Sequence, residues 1–266
     1  MDETDTVTTA TESAPAPKAQ TPANEVVEIV KTVVYALLIA LVIRVLLFQP
    51  FTIPSASMEP NLLQGDYIIV SKFSYGISRH SIPFSPPLFH GRLFDQAPHR
   101  GDIIVFKLPR DGHTDYIKRL IGLPGDRIQV RGGVVYLNGK AIPRQDEGSV
   151  VKQGPFPGFS QQVERFRETM PGGKTYTTYD QGPGGEVDDT DVFVVPPKHY
   201  FMMGDNRDNS MDSRYPESTG VGYVPEENLV GKAQIILLSW DDKASIFKPW
   251  TWFLDARPSR FFHLLQ

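Results

Sequence analysis

The chain has 266 residues, 40% of them apolar and 22% charged, with a formal net charge of −4. This is the composition of a folded chain of one or two domains, and its slight acidity argues against an electrostatic footprint for nucleic acid. With no cysteine in the sequence, disulfides, thiol nucleophiles and cysteine-ligated zinc are excluded.

Residues 1–24 are rich in Thr, Ala, Pro, Glu and Asp without apolar periodicity, which predicts a disordered tail. Residues 29–48 read IVKTVVYALLIALVIRVLLF, 20 residues and enough to cross a hydrocarbon core as a helix. Apolar residues occupy every face of that helix, whereas a surface helix of a soluble domain would keep a polar stripe. Lys31 and Arg44 stand near the ends, where long side chains reach the headgroups. A cleavable signal would show a small-x-small site, but Pro50 ends the run. A single retained transmembrane anchor at 25–48 follows. Its orientation is weakly specified by charge, since Lys18 and Lys31 are the only cations of the N-terminal flank.

After Pro50 the pattern turns to short apolar runs bounded by Gly, Pro and Asp, with 22 Gly and 23 Pro in the chain. Strands are predicted at 67–73, 102–107, 115–121, 127–131, 134–137, 192–195, 200–203 and 233–239. Gly132-Gly133 and Asn138-Gly139 are two-residue hairpin signals, and Pro124-Gly125 marks a turn. No long amphipathic helix follows residue 50, so the class is mainly β. Residues 144–190 are polar, Gly-rich and strand-poor, which predicts a loop-rich insertion at one end of the fold.

Three segments carry residues suited to catalysis. None of the six His lies in a recognisable catalytic motif, and there is no Gly-x-Ser-x-Gly or His-Glu-x-x-His. The first segment, Phe51-Thr-Ile-Pro-Ser55-Ala-Ser57-Met-Glu-Pro60, sets two serines between prolines that favour extended backbone before them. It reads either as a linker leaving the membrane or as two hydroxyls on one side, one attacking and the other donating to an oxyanion. The second, Tyr116-Ile-Lys118-Arg119-Leu-Ile121, places a lysine and an arginine inside a strand. Alternation puts them on opposite faces, so one of them approaches a half-buried face. A desolvated lysine loses proton affinity and can act as a base near neutral pH; a solvated one is ordinary. The third, Gly204-Asp-Asn-Arg-Asp208-Asn-Ser210-Met-Asp212-Ser-Arg214, fails as a calcium loop. Counting from Asp208, the sixth position is Ser213 rather than Gly and the twelfth is Thr219 rather than Glu.

In this order the segments resemble the conserved boxes of bacterial type I signal peptidases. The resemblance covers roughly residues 25–240: the upstream apolar helix, Pro-Ser-x-Ser-Met-x-Pro at 54–60, Gly65-Asp66, Arg-Gly-Asp-Ile-Ile-Val-Phe at 100–106, Asp-Tyr-Ile-Lys-Arg at 115–119, Gly-Leu-Pro-Gly-Asp at 122–126 and the box at 204–214. It implies a mainly β fold: an antiparallel, barrel-like catalytic domain within 49–266, a second β-rich subdomain inserted at about 128–197, and one transmembrane helix ahead of both. It implies a serine endopeptidase that removes signal peptides from secreted preproteins, cutting after small residues through an acyl-enzyme. By position Ser57 matches the nucleophile and Lys118 the general base. Ser210 matches the serine that orients the lysine. Ser55 matches the side-chain donor of an oxyanion hole completed by the Ser57 backbone N–H. Asp212 and Arg214 match a supporting ion pair. Ile53, Pro54, Ser55, Met58, Leu62, Tyr116 and Ile117 fall where the family lines its substrate pockets.

No metal and no cofactor is implied. The partners are preprotein signal peptides and the lipid bilayer, with no nucleic acid. The resemblance implies a location in the bacterial inner membrane, single-pass, with the catalytic domain on the outer, periplasmic face. Lys118 must lose its charge to accept the Ser57 proton; lowering its pKa by ~2–3 requires roughly 3–4 kcal/mol of differential interaction. Burial supplies that, and Phe48, Phe51, Phe73, Tyr75, Phe84 and Phe89 offer apolar surface around the first boxes. Trp240, Trp250 and Trp252, close to Phe253, Phe261 and Phe262, suit either a membrane interface or a β core. The chain departs from the family pattern in its extra residues at 216–222 and in Arg44 within the anchor. A self-cleaving repressor of the SOS type also uses a Ser/Lys dyad, but it carries an N-terminal helix-turn-helix where this chain has an apolar helix.

Overall fold

The structure, a computed structural model, describes residues 22–153, 160–241 and 251–265. The tail expected at 1–24 falls almost wholly outside these residues, as does Trp250. Helix α1 (Pro22–Leu46) is exposed from Glu25 to Arg44, and this stretch is long and apolar enough to cross a membrane. It stops at Leu46, short of the expected 48, and Phe48 is already strand. Pro50 accounts for the stop: it has no N–H to continue a helix and disfavours helical backbone just before it.

The body that follows is made of strands. In chain order they are β1 (Phe48–Thr52), β2 (Asp66–Ser71), β3 (Ile77–Ser78), β4 (Arg92–Leu93), β5 (Ile103–Lys107), β6 (Asp115–Gly122), β7 (Arg127–Arg131), β8 (Val134–Leu137), β9 (Lys140–Ala141) and β10 (Arg144–Gln153). Then come β11 (Ser160–Thr169), β12 (Thr175–Asp180), β13 (Phe193–Val194), β14 (His199–Met203), β15 (Val224–Pro225), β16 (Leu229–Ser239) and β17 (His263–Leu264). The main sheet runs β1-β2-β16-β5-β6-β14-β15, with β17 added to β16. All its pairings are antiparallel, and it curls into a half-barrel, in line with the mainly β expectation. The curl has a local cause: β16 shifts register against β2 and β5 between Leu229 and Gly231, Ala233 and Ile235, and Ile236 and Leu238, and each bulge bends a strand and increases its twist. Gly231 permits the closest approach, since a Cβ there would lie 2.4 Å from the Ser71 carbonyl oxygen.

Both faces of this sheet are covered. Ile53, Met58, Leu62, Ile68, Val105 and Ile117 belong to one apolar cluster, while Ile104, Phe106, Leu120, Tyr200 and Met202 belong to another. Consequently β6 is buried continuously from Ile117 to Gly122 rather than at alternate residues, as in a strand packed on two sides.

A second sheet, β13-β7-β8-β9, is built on the two predicted hairpins. Gly132 and Gly133 have φ of 52° and 76°, and Asn138 and Gly139 of 53° and 80°, the positive pairs that a tight turn between twisted strands requires. The third sheet, β10-β11-β12, corrects the strand-poor expectation for 144–190. Its strands read RQDEGSVVKQ, SQQVERFRET and TYTTYD. Polar residues outnumber apolar ones on these strands, and the few buried apolar side chains, Val163 and Tyr176 among them, are too sparse to show an apolar period of two in the sequence. Charge pairing between neighbouring strands stands in for it, with Glu147 of β10 meeting Arg165 and Arg167 of β11. Just past the end of β16 Trp240 is half-buried, packing edge-on against Tyr67 and beside Phe261.

Candidate active site

The chain leaves β1 at Thr52 and is pinned by the Ile53 N–H donating to the Asp66 carbonyl and the Gly65 N–H donating to that of Ile53. Ser55 is extended (φ −133°, ψ 157°), and Ala56–Met58 make one 3-10 turn. Burying Met58 and Leu62 completely draws this turn into the core. The extended backbone expected at both serines therefore holds for Ser55 alone, yet the turn still brings the Ser55 and Ser57 hydroxyls to 3.3 Å.

Lys118 reaches the same point from β6. Its Nζ lies 2.6 Å from Ser57 Oγ and 3.0 Å from the Ile117 carbonyl oxygen, and the side chain is almost fully buried. Burial lowers the amine from its ordinary 10.5 to about 8; Asp212 and Asp205 pull it upward and Arg214 pushes it down. Near neutral pH a usable fraction of the amine is thus uncharged, with its lone pair free to take the Ser57 proton.

The loop 204–214 forms the floor. Asn206 donates its backbone N–H to the Ser57 carbonyl and its side-chain amide to that of Ala56, both at 3.1 Å. Two buried ion pairs hold the loop itself. Arg214 grips Asp212 through Nε–Oδ1 and Nη2–Oδ2, each 2.9 Å, and Arg119 grips Asp205 through two bonds of 2.7 Å. Burial alone would raise the Asp212 carboxyl, but Arg214 and the N–H groups of Gly204 and Arg214 together hold it below the usual carboxylate range. Ser210 is buried beside the Ala56–Met58 turn, and its Oγ has no hydrogen-bond partner among the described residues. Gly204 makes room for it: a Cβ there would stand 2.2 Å from Ser210 Oγ and 2.6 Å from the Ser57 carbonyl oxygen.

Ile53, Met58, Leu62 and Ile117 join one apolar cluster around the turn. Met58 and Leu62 have no exposure, so they back the site rather than line an opening. Pro54 is exposed, and Tyr116 is half-buried with its ring 5.5 Å from Lys118 Nζ. The sequence reading missed Gly204, Asp205, Asn206 and the burial of Arg119. For Arg119 a signal existed, since alternation already opposed it to Lys118; the double-sided covering of β6 buries both. Among the described residues no group of three or more His, Asp or Glu could hold a metal ion.

A hydroxyl in contact with a buried amine, with a second hydroxyl alongside, is an arrangement that can carry out the chemistry of the serine hydrolases that use lysine as base. Comparison narrows the class. Residues 26–240 match the family described as signal peptidase, peptidase S26. A signal peptidase I from Rickettsia felis is 43% identical over 235 residues, covering 81% of this chain and 85% of the relative. One from Rickettsia canadensis is 43% identical over 239 residues, covering 83% and 87%. A signal peptidase I of known crystal structure from Enterococcus faecalis is 27% identical, covering 52% of this chain and 97% of that one, with a TM-score of 0.30. The chain belongs to the signal peptidase family, peptidase S26.

Proposed function

We propose that this chain is a membrane-anchored serine endopeptidase that removes signal peptides from preproteins, with Ser57 as nucleophile and Lys118 as general base. The observation that carries this reading is the 2.6 Å approach of Lys118 Nζ to Ser57 Oγ within a buried site. The neutral amine takes the Ser57 proton as Oγ bonds to the scissile carbonyl carbon. The oxyanion receives the Ser57 backbone N–H and the Ser55 hydroxyl. The resulting ammonium returns its proton to the leaving amine as the C–N bond breaks, leaving an acyl-enzyme. Lys118 then deprotonates the water that hydrolyses the ester. Ser210, buried next to the turn, makes no hydrogen bond to Lys118 here, so its role of orienting the amine rests on the resemblance alone, while Asp212–Arg214 braces the loop that carries it. Ile53, Pro54, Met58, Leu62, Tyr116 and Ile117 form or back the pocket for the small residues before the cut. The β body lies on the outer, periplasmic face of the bacterial inner membrane, tethered by the single helix α1, and 128–197 forms an inserted subdomain of it.

The test is cleavage of a purified preprotein, with the cut mapped by mass spectrometry. Wild-type protein is expected to cut after a small residue. Ser57→Ala and Lys118→Met are each expected to lose about 10⁶-fold in kcat, as when a nucleophile or its base is removed from a comparable site. Ser55→Ala is expected to lose about 10²–10³-fold, the usual loss for one oxyanion donor. Retained cleavage by Lys118→Met, or a dead Ser55→Ala beside an active Ser57→Ala, would overturn the assignment.

A further inference from the structure

The proteolytic reading leaves two cations without a role, Arg44 at the end of the apolar helix and Lys72 just after β2. They line the same cavity of about 330 Å³, together with Lys107, His80, Ser85 and Asp115. Lys72 is almost fully buried, and its Nζ donates to one acceptor, the Ser81 carbonyl at 2.5 Å. An ammonium has three donors to satisfy, and among the described residues no carboxylate pairs with this one. Lys107 pairs with Asp115 at 2.9 Å, and the Arg44 side chain makes no ion pair or hydrogen bond among the described residues. Three cations thus face one carboxylate in the cavity. Burial first, then the charge of Arg44, lowers Lys72 to about 8, with Asp115 raising it and Lys107 lowering it. A further anion would relieve this repulsion.

The neutral groups around the cavity suit the same ligand. Burial, with the Arg79 charge beside it, holds His80 at about 4, so the imidazole is neutral. Its Nε2 accepts from Arg79 Nε at 3.2 Å, which places the ring proton on Nδ1, 3.0 Å from Ser85 Oγ. The Ser85 hydroxyl, already accepting from His80, has its own proton to give into the cavity.

The surroundings indicate where that anion comes from. Arg44 is the last residue of the 20-residue apolar stretch, at the level of the headgroups if that stretch spans the bilayer. Phe84 and Ser85 at the cavity wall hold left-handed backbone, φ 65° and 48°, a conformation that is unfavourable for a bulky residue. It leaves the Phe84 ring entirely uncovered, 102% exposed, with Leu88 70% exposed a few residues on. A strained loop that presents a bare aromatic ring beside a cationic pocket is matched to acyl chains meeting phosphates. We propose that this cavity binds the phosphodiester of an anionic phospholipid headgroup, between Arg44, Lys72 and the Ser85 hydroxyl, with Phe84 inserted among the chains. The proposal rests on α1 being the membrane anchor.

The test uses the full-length protein in neutral-detergent micelles, titrated with phosphatidylglycerol, phosphatidylethanolamine or inorganic phosphate and read by native mass spectrometry. Phosphatidylglycerol is expected to be retained at one site, at least tenfold more tightly than phosphatidylethanolamine. Arg44→Gln and Lys72→Met should each weaken it about fivefold, which is ~1 kcal/mol per cation, while Lys140→Gln on exposed β9 should leave it unchanged. Arg44 is exposed, so its variant carries the test if Lys72→Met does not fold; unchanged thermal unfolding of Arg44→Gln certifies the comparison. Equal retention of the two lipids, equal binding by wild type and Arg44→Gln, or binding of inorganic phosphate in preference to lipid each overturns the proposal. Wild-type cleavage of a preprotein is measured in the same micelles. Protein that holds the lipid but does not cut sinks the proteolytic reading alone, and protein that cuts without lipid preference sinks this site alone.

Discussion

Two lysines of this protein are taken almost wholly out of water, and burial brings both to about 8. Their neighbours differ. Lys118 has a hydroxyl at 2.6 Å and buried carboxylates whose charge pulls its pKa upward. Lys72 has a carbonyl at 2.5 Å, an open cavity, and Arg44 and Lys107 pushing its pKa down. A lowered pKa therefore does not identify a base. In the two proposed roles the partner decides: a proton donor within reach suits the amine to act as a base, and a cation-rich cavity suits it to receive an anion.

The comparison sharpens most at Lys118→Met. Besides losing activity, this variant is expected to be more stable than wild type. The unfolded chain keeps its proton up to 10.5 and the folded chain only up to about 8, so stability rises with pH through that window and the penalty is complete below it. At neutral pH the penalty is ~3 kcal/mol, which chemical denaturation of the two proteins at pH 7 and pH 10.5 will reveal as a gap that closes. The wild-type rate should follow the same proton, rising with pH to a plateau with its midpoint near 8. A flat profile between pH 6 and 10, with chemistry limiting, would break the assignment.

Asp212→Asn tests the surroundings rather than the amine. It leaves the Arg214 side chain buried without its carboxylate, a loss that is typically about 3–5 kcal/mol. In protein that still folds, the rate midpoint should move below 8, because an upward pull on Lys118 has gone. The smallest effect is expected at Lys72→Met. In lipid-free micelles it should stabilise less than Lys118→Met, since Lys72 faces an open cavity. Adding phosphatidylglycerol should erase or reverse that gain, read as a crossover in thermal unfolding.

Much of this was legible from residues alone. The dyad segments, the eight apolar strands and both hairpins follow from motif, period and turn chemistry. The β10-β11-β12 sheet does not, because its strands satisfy each other through charge and carry no apolar stripe. The bracing of the site was also hidden. Arg119 and Asp205 are 86 residues apart and Asn206 is 150 from Ala56, and no local rule joins them. Nothing local marks Lys72 either, since its one hydrogen-bond acceptor, the Ser81 carbonyl, and the Arg44 that shares its cavity come from separate segments.

Pairing in β6 carries a consequence of its own. Ile103 stands opposite Arg119 and Ile104 opposite Lys118, with Arg119 also opposite Met203 on the other edge. Sliding this strand by one step would put either Arg119 or Ile117 in the place of Lys118, so that a guanidinium, which never gives up its proton, or a side chain with no base at all would face the Ser57 hydroxyl. Composition and much of the hydrophobic interior would survive such a slip while the chemistry vanished. Whether this molecule is an enzyme is thus a matter of odd or even, set by the ladder between two neighbouring strands.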